Sequence, residues 1–127
     1  MIEVRRDSFS LDKIIERMRS PKIGVILTYL GTVREFPSGR GLEFENNESA
    51  IQKLLEIEKK ARTRFDIEDV AIIHRVGPLP VSENILLVAV SASHRGAAFD
   101  ACKSMIDEIK DLHESWGKEL LAEENYG

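Results

Sequence analysis

Several basic side chains fall at the predicted ends of strands and helices. Arg34 closes the first long predicted strand, and His94 and Arg95 follow the apolar run ILLVAVSAS, directly before the third predicted helix. The N-terminus of a helix offers free backbone N–H groups and a positive dipole end. The planar guanidinium of an arginine beside it can donate two parallel hydrogen bonds to a phosphate or carboxylate. The sequence therefore indicates an anion pocket with these three residues, although they could instead pair with surface acids or contact solvent.

Lys110 is a further candidate for this pocket, and it falls near the end of the third predicted helix. A lysine whose pKa is lowered by burial or by neighbouring cations becomes a nucleophile or a general base. The alternative is a solvated lysine that complements the helix dipole in the last turn. The spacing alone favours this second interpretation.

Three more residues of this region have a structural interpretation beside a functional one. Cys102 shares an apolar stripe with Met105 and Ile106, which favours a buried thiol over a nucleophile. His113 sits among acidic residues and is predicted to face solvent. Trp116, placed just past the third helix, either anchors the tail to the core or lines a binding cleft.

The composition predicts a single soluble domain over residues 1–127. Lys and Arg number 18 and Asp and Glu number 22, so the formal charge is 18 − 22 = −4, which argues against general nucleic-acid binding. One cysteine and three histidines make a poor zinc set, so we expect no metal. No apolar run reaches the ~20 residues of a membrane helix, and the N-terminus has no signal-peptide pattern. We therefore expect a cytoplasmic protein without a membrane partner.

The apolar pattern alternates single helices with pairs of strands. Strands are predicted at residues 2–4, 23–33, 42–45, 70–76 and 85–92. Ser10 and Asn47 are predicted to cap the first two helices, and the third begins near Gly96. A loop is predicted at residues 35–41, and the sequence GPLP at residues 77–80 is predicted to break a strand. This order favours an α+β fold with three helices and a mainly antiparallel sheet.

Five sequence segments resemble, in order, the large catalytic subunit of molybdopterin synthase. The segments are GTVRE, GLEFE, HRVGPL, ILLVAVSASHRGAAFDACKSMIDEIK and SWGKE. They extend over residues 23–119, and several separate motifs at consistent spacing are more specific than any single dipeptide.

The resemblance implies a fold, a reaction and partners. The family has an α/β-hammerhead fold, which agrees with the α+β order. It is a sulfur transferase that converts a cyclic pyranopterin monophosphate into molybdopterin by adding two sulfurs, as a step of molybdenum cofactor biosynthesis. Sulfur arrives as a thiocarboxylate on the C-terminal Gly-Gly tail of a small ubiquitin-like subunit. The large subunit forms a homodimer with a small subunit at each end, a heterotetramer, and no bound metal or other cofactor is needed.

The resemblance also implies roles for individual residues. Arg34, His94 and Arg95 match residues that line the substrate pocket, and Lys110 matches the catalytic lysine of the long helix. A second functional lysine of the family directly follows the tryptophan, where this chain has Gly117. Lys118 comes next, so either Lys118 takes over as a catalytic residue through a local shift or that role is lost.

Two other functions remain open at this point. The first is a non-catalytic homologue that binds the small subunit's tail without turnover, suggested by Gly117 and by a C-terminal tail shorter than in many members. The second is a generic anion-binding domain unrelated to pterins, which predicts no affinity for a Gly-Gly tail.

Overall fold

Two β-sheets and three helices make up residues 1–121, the part of the chain that the computed structural model describes. The predicted domain over residues 1–127 thus includes a terminal segment, 122–127, that lies outside the described residues. The elements in chain order are β1 Ile2–Arg5, α1 Leu11–Met18, β2 Val25–Thr32, β3 Gly39–Phe44, α2 Glu48–Arg64, β4 Asp69–Arg75, β5 Gly77–Pro80, β6 Asn84–Ala92, α3 Arg95–Trp116 and β7 Gly117–Leu121.

The larger sheet forms the centre of the fold, with strand order β1-β4-β6-β2. Only β1 and β4 run parallel in it, and its other neighbours are antiparallel. Alternate residues of β4 point to opposite faces, so Ile72 packs in the cluster with α2 and α3 while Ile73 packs in the cluster with α1. The central strands are therefore buried on both faces, which explains their continuous apolar sequences.

Polar side chains fix the first turns of α1 and α2, as the sequence predicted. The Ser10 hydroxyl accepts from the backbone N–H of Lys13, and the Asn47 side chain accepts from the N–H groups of Ser49 and Ala50. Each bond satisfies a donor that the helix itself leaves without a partner. Both predicted caps are confirmed.

The second sheet, with strand order β5-β3-β7, contains two strands that the sequence pattern does not predict. The GPLP segment was predicted as a break, but it forms β5 and pairs with β3 on one side only. Proline is tolerated at such an edge because one side of the strand donates no ladder bonds. Leu79 points into the core, and Gly77 takes a φ of +91° that turns the chain out of β4.

The third helix is longer than predicted and ends at Trp116 rather than before it. The Trp116 ring is buried, and its Nε1–H donates to the backbone oxygen of Glu45 at 2.7 Å. Trp116 therefore anchors the end of α3 to the loop after β3. Lys110 lies more than a turn before the helix end, so the expectation that it falls in the last turn is wrong.

The predicted fold class is confirmed: three helices pack on two mainly antiparallel sheets in an α+β arrangement. The buried β6 joins the larger sheet to α3, and β7 continues directly from α3 into the smaller sheet. None of the helices described is long and apolar enough to cross a membrane.

Candidate active site

A cavity of about 650 Å³ opens where the larger sheet, the smaller sheet and α3 meet. Its size is that of a small-molecule site. Its wall combines aromatic and aliphatic side chains with a few charged ones. The lining residues are Tyr29, Gly31, Thr32, Arg34, Phe36, Leu42, Ile85, Leu86, Ile106, Lys110, His113 and Glu119.

Two of the predicted site residues, Arg34 and Lys110, share this cavity. Arg34 comes from the loop after β2, and Lys110 projects from α3, one turn after Ile106. Both side chains are exposed, and within residues 1–121 neither makes an ion pair, although nine ion pairs form elsewhere. Two cations without a carboxylate partner in one concave site attract an anionic ligand.

His113 is the cavity residue whose position the sequence pattern predicts wrongly. It was predicted to face solvent, but it is only partly exposed and packs against Phe44 with ring centroids 4.9 Å apart. The prediction is wrong because Phe44 of β3 and His74 of β4 pack against the ring. The signal was available in the spacing, since Ile106, Lys110 and His113 are separated by four and three residues and so share one helix face.

His113 is hydrogen-bonded to the buried His74 of β4. The Nε2 atoms of the two rings lie 2.7 Å apart, and Nδ1 of His74 lies 2.7 Å from the backbone oxygen of Arg75. Burial, followed by the charge of His113, lowers the pKa of His74 to about 3. Burial, followed by the charge of Lys110, lowers the pKa of His113 to about 4. Both rings are therefore neutral at pH 7.

His94 and Arg95 lie far from this cavity within one chain. Arg95 and Lys110 are 110 − 95 = 15 residues apart on α3. At 1.5 Å per residue, that separation is roughly 22 Å along the helix axis. Both His94 and Arg95 are exposed at the helix N-terminus, where a side chain added at Gly96 would meet no atom within 4 Å. The structure thus does not bring all four predicted pocket residues together.

Lys118 also lies away from the cavity. It is paired with Glu43 in the register between β7 and β3, and its Nζ is 3.2 Å from a carboxylate oxygen of Glu43. The next pair along, Glu119 and Leu42, lines the cavity. Because side chains alternate along a strand, Lys118 points to the opposite face of the smaller sheet.

Gly117 occupies a position with no room for a side chain. A Cβ atom built there would lie 2.7 Å from Cε2 of Phe44, 3.0 Å from its Cζ and 3.3 Å from the backbone oxygen of His113. Phe44 is almost completely buried and itself packs against Trp116. An aromatic ring therefore fills the space beside the position where the family resemblance expects a second lysine.

The remaining reactive side chain, Cys102, is structural. It is buried on α3, and burial raises the pKa of its thiol to about 11, so little thiolate exists at neutral pH. The prediction of a buried thiol is confirmed. Within the described residues, no three His, Cys, Asp or Glu side chains are placed to hold a metal ion.

Comparison with known proteins agrees with the motifs. The family model described as MoaE protein matches residues 4–112. The molybdopterin synthase catalytic subunit of Pyrococcus abyssi is 39% identical over 121 residues, covering 92% of this chain and 82% of that protein. The X-ray structure of molybdopterin synthase from Staphylococcus aureus matches with a TM-score of 0.84 at 26% identity, covering 96% of this chain and 92% of that one.

A more distant structure shows the fold alone. It is a protein–protein complex of subunits 1 and 2 of molybdopterin-converting factor from Helicobacter pylori, with a TM-score of 0.63 at 15% identity over 98% of this chain and 91% of that one. The family match and the curated relative confirm the resemblance drawn from the sequence motifs. The chain belongs to the MoaE family, the catalytic subunits of molybdopterin synthase.

Proposed function

We propose that this chain transfers sulfur to a cyclic pyranopterin monophosphate in the cavity that holds Arg34 and Lys110. The observation that carries the proposal is the presence, in one concave site of small-molecule size, of two exposed cations that form no ion pair with any residue of 1–121. The substrate bears a phosphate and a flat heterocycle, and the cavity offers cations beside aromatic and aliphatic walls. Membership of a family of synthase catalytic subunits supports the same reaction.

Lys110 is the residue that we propose acts on the reacting atoms. In each transfer the thiocarboxylate sulfur forms a bond to a side-chain carbon of the pterin as a carbon–oxygen bond of that carbon breaks. Water then cleaves the bond between this sulfur and the acyl carbon of the donor, so the sulfur stays on the pterin and the donor leaves as a carboxylate. Negative charge develops on the attacked centre during this exchange. A fixed cation beside that centre stabilises the transition state more than the bound substrate.

Within one chain Arg95 lies about 22 Å from Lys110 along α3, too far to contact the same substrate. A homodimer would complete the site if Arg95 of one copy lay near Lys110 of the other. We propose that His94 and Arg95 of a second copy bind the substrate together with Arg34 and Lys110 of the first. The surface beside β2 supports such a dimer. β2 is an edge strand, and Phe99 of α3 is 56% exposed next to an apolar groove that also contains Tyr29 and Ile106. Large exposed apolar groups beside a free strand edge are typical of a subunit interface.

The sulfur donor that we propose is a small ubiquitin-like subunit with a Gly-Gly thiocarboxylate tail. The Helicobacter pylori structure, which has this fold, is a complex of two different subunits. A slender tail without side chains suits a cavity that already contains a pterin. One small subunit bound to each copy of a homodimer gives the heterotetramer expected from the family resemblance.

We also propose the cytoplasm as the compartment. The single cysteine, Cys102, is buried and unpaired. A protein without disulfides is typical of reducing compartments.

A single-turnover assay tests the proposed reaction. The purified chain is mixed with the pterin monophosphate and a thiocarboxylated small subunit, and the dithiolene product is detected by its fluorescence after oxidation. We expect product from the wild type and none from Lys110→Ala. Lys59→Ala, which removes an exposed lysine of α2 outside the cavity, is the matched control and should retain full activity.

Absence of product from the wild type would overturn the proposed reaction. If the small subunit still co-elutes with the chain on a sizing column, the result identifies a non-catalytic homologue that binds the tail. Gly117 favours that second function, since Phe44 fills the space beside the position of the family's second lysine.

A further inference from the structure

We propose that His113 is a substrate-positioning residue of this cavity, whose Nδ1 atom accepts a hydrogen bond from a ring N–H of the bound pterin. This inference rests on the proposed function and assigns a role to a side chain that the family motifs do not include. Three observations support it: the hydrogen-bond pattern of the two imidazoles, the ring nitrogen that this pattern leaves for a ligand, and the charges around it.

The partners of His74 determine which nitrogen of His113 carries hydrogen. A backbone carbonyl only accepts, so Nδ1 of His74 donates to the oxygen of Arg75, at 2.7 Å. The neutral His74 ring therefore has a bare Nε2, which accepts the Nε2–H of His113 at 2.7 Å. A neutral His113 that donates from Nε2 keeps a lone pair on Nδ1.

With Nε2 directed at His74, Nδ1 is the nitrogen of this cavity-lining ring that remains for a ligand. Within residues 1–121, Ser91 Oγ is the single buried side-chain polar atom without a hydrogen-bond partner. Nδ1 of His113 makes no hydrogen bond to any residue of 1–121, and it is not among the buried side-chain atoms of that range that lack a partner. The ring lines the cavity on one side and packs against Phe44 on another, and the cavity is the open space beside it.

The charges around His113 make it a hydrogen-bond acceptor rather than a further cation. Lys110 of the same helix and Arg34 from the loop after β2 provide positive charge, and Glu119 of β7 provides a carboxylate. Behind the ring lies the neutral His74 of β4. The cations suit the phosphate of the substrate, and a neutral acceptor suits the N–H edge of its pterin ring. The cavity thus contains a matching group for each end of the ligand.

A role as general base is less suitable for this residue. Burial and the charge of Lys110 lower the pKa of His113 to about 4, and an efficient base at neutral pH has a pKa near 7. The ring instead keeps a fixed tautomer and a fixed direction, because His74 anchors its opposite nitrogen. Orientation of the substrate requires a rigid acceptor of this kind.

Two amide substitutions distinguish the role of Nδ1 of His113 from the role of its Nε2. In His113→Asn the amide oxygen takes the place of Nδ1, but the contact with His74 is lost. In His113→Gln the longer amide reaches towards His74, but the acceptor at Nδ1 is lost. The dissociation constant of the pterin monophosphate is measured by isothermal titration calorimetry for the homodimer, and the urea midpoint is measured for each variant.

We expect His113→Gln to weaken binding about fivefold, the effect of one neutral hydrogen bond, with little change in the urea midpoint. His113→Asn should lower the urea midpoint and keep the dissociation constant within about twofold of the wild type. Two results would overturn the inference. The first is a wild-type dissociation constant in His113→Gln. The second is a dissociation constant in His113→Asn that rises in step with its loss of stability.

The binding measurement does not depend on turnover, so the two proposals fail in different ways. A wild type that binds the pterin phosphate but makes no product would refute the proposed reaction, and the comparison of Asn with Gln would still test His113. A wild type that does not bind the pterin phosphate would refute both.

Discussion

Gly117 lies directly opposite Phe44 in the register between β7 and β3, and the Phe44 ring stands where a side chain at residue 117 would begin. The helix therefore passes into β7 through a residue without a side chain. The family's second lysine cannot be restored here by one substitution unless the Phe44 ring moves.

We expect Gly117→Ala to lower the free energy of unfolding by about 1–3 kcal/mol, the usual effect of overpacking a filled core. The new Cβ would approach Cε2 of Phe44 to 2.7 Å. Urea denaturation measures the change. The matched control is the same substitution in a Phe44→Leu background, where the smaller side chain should reduce the loss. An equal loss in both backgrounds would show that the backbone, and not the ring, is responsible.

The free energy of unfolding should fall as the pH is lowered from 7 to 5. The unfolded histidines titrate near 6.5, whereas burial lowers the pKa of His74 to about 3 and that of His113 to about 4. In this window the unfolded chain binds protons that the folded chain does not, so stability rises with pH. Each ring contributes a slope approaching about 1.4 kcal/mol per pH unit below its unfolded pKa. Urea denaturation at several pH values measures the slope.

The variant His113→Gln is the control for this slope, because it removes one of the two titrating rings. Between pH 7 and 5, its free energy of unfolding should change less steeply than that of the wild type. The difference in slope should be up to about 1.4 kcal/mol per pH unit, the contribution of one proton. A slope that does not change would mean that His113 titrates normally in the folded chain. Burial opposes ionisation of Asp69, but hydrogen bonds from Arg62 and from the backbone of Val70 lower its pKa below the usual value of 3.8. Its effect on stability therefore falls below this pH range.

Lys118→Ala should retain turnover. The lysine is 65% exposed and ion-paired with Glu43 on the face of the smaller sheet that points away from the cavity. Loss of an exposed ion pair changes stability by less than about 1 kcal/mol. Loss of activity comparable to that of Lys110→Ala in the single-turnover assay would instead show that Lys118 reaches the substrate and replaces the second lysine.

Arg95→Ala should weaken binding of the pterin monophosphate with little loss of stability. The side chain is exposed at the start of α3 and makes no ion pair within the described part of the chain. A hydrogen bond to a charged group contributes about 1.5–3 kcal/mol, which corresponds to a roughly tenfold to hundredfold weaker dissociation constant. Calorimetric titration measures the affinity, with Lys59→Ala as the exposed control. An unfolded Arg95→Ala protein would show that Arg95 is structural.

The sequence predicted the helices and the central strands because their periodic apolar faces and caps are local features. It failed at GPLP, where proline signals a break unless the strand lies at a sheet edge, and edge position is a property of the whole fold. The tail strand β7 was missed for a similar reason. Its five residues acquire their pairing only from β3, which is distant in sequence.

The candidate site was predicted only in part. Arg34 and Lys110 meet in one cavity although 76 residues separate them (110 − 34), and the family motifs rather than the local pattern linked them. His113 was misplaced because its acidic neighbours suggested an exposed position, although its spacing from Ile106 and Lys110 places it on the helix face that lines the cavity. The separation of Arg95 from Lys110 follows from their positions at the start and in the later half of one helix, 110 − 95 = 15 residues apart, and the predicted helix already contained it.

The central claim is that each reaction site combines Arg34 and Lys110 of one copy with His94 and Arg95 of another. Lys110→Ala, which is expected to make no product, and Arg95→Ala, which is expected to bind the pterin weakly, are unfolded together and refolded as a mixture. The mixture is assayed in single turnover at a pterin concentration too low to saturate Arg95→Ala. In a mixed dimer one site receives both substitutions and the other receives neither. Half of the dimers are mixed, so about a quarter of the wild-type activity should return.

The control mixture combines Lys110→Ala with Arg34→Ala, which damage the same cavity and should restore nothing. Activity near a quarter of the wild type in the first mixture and none in the second is the predicted result. If mixed dimers form, as native mass spectrometry would show, and the first mixture stays as inactive as its components, the shared site does not exist.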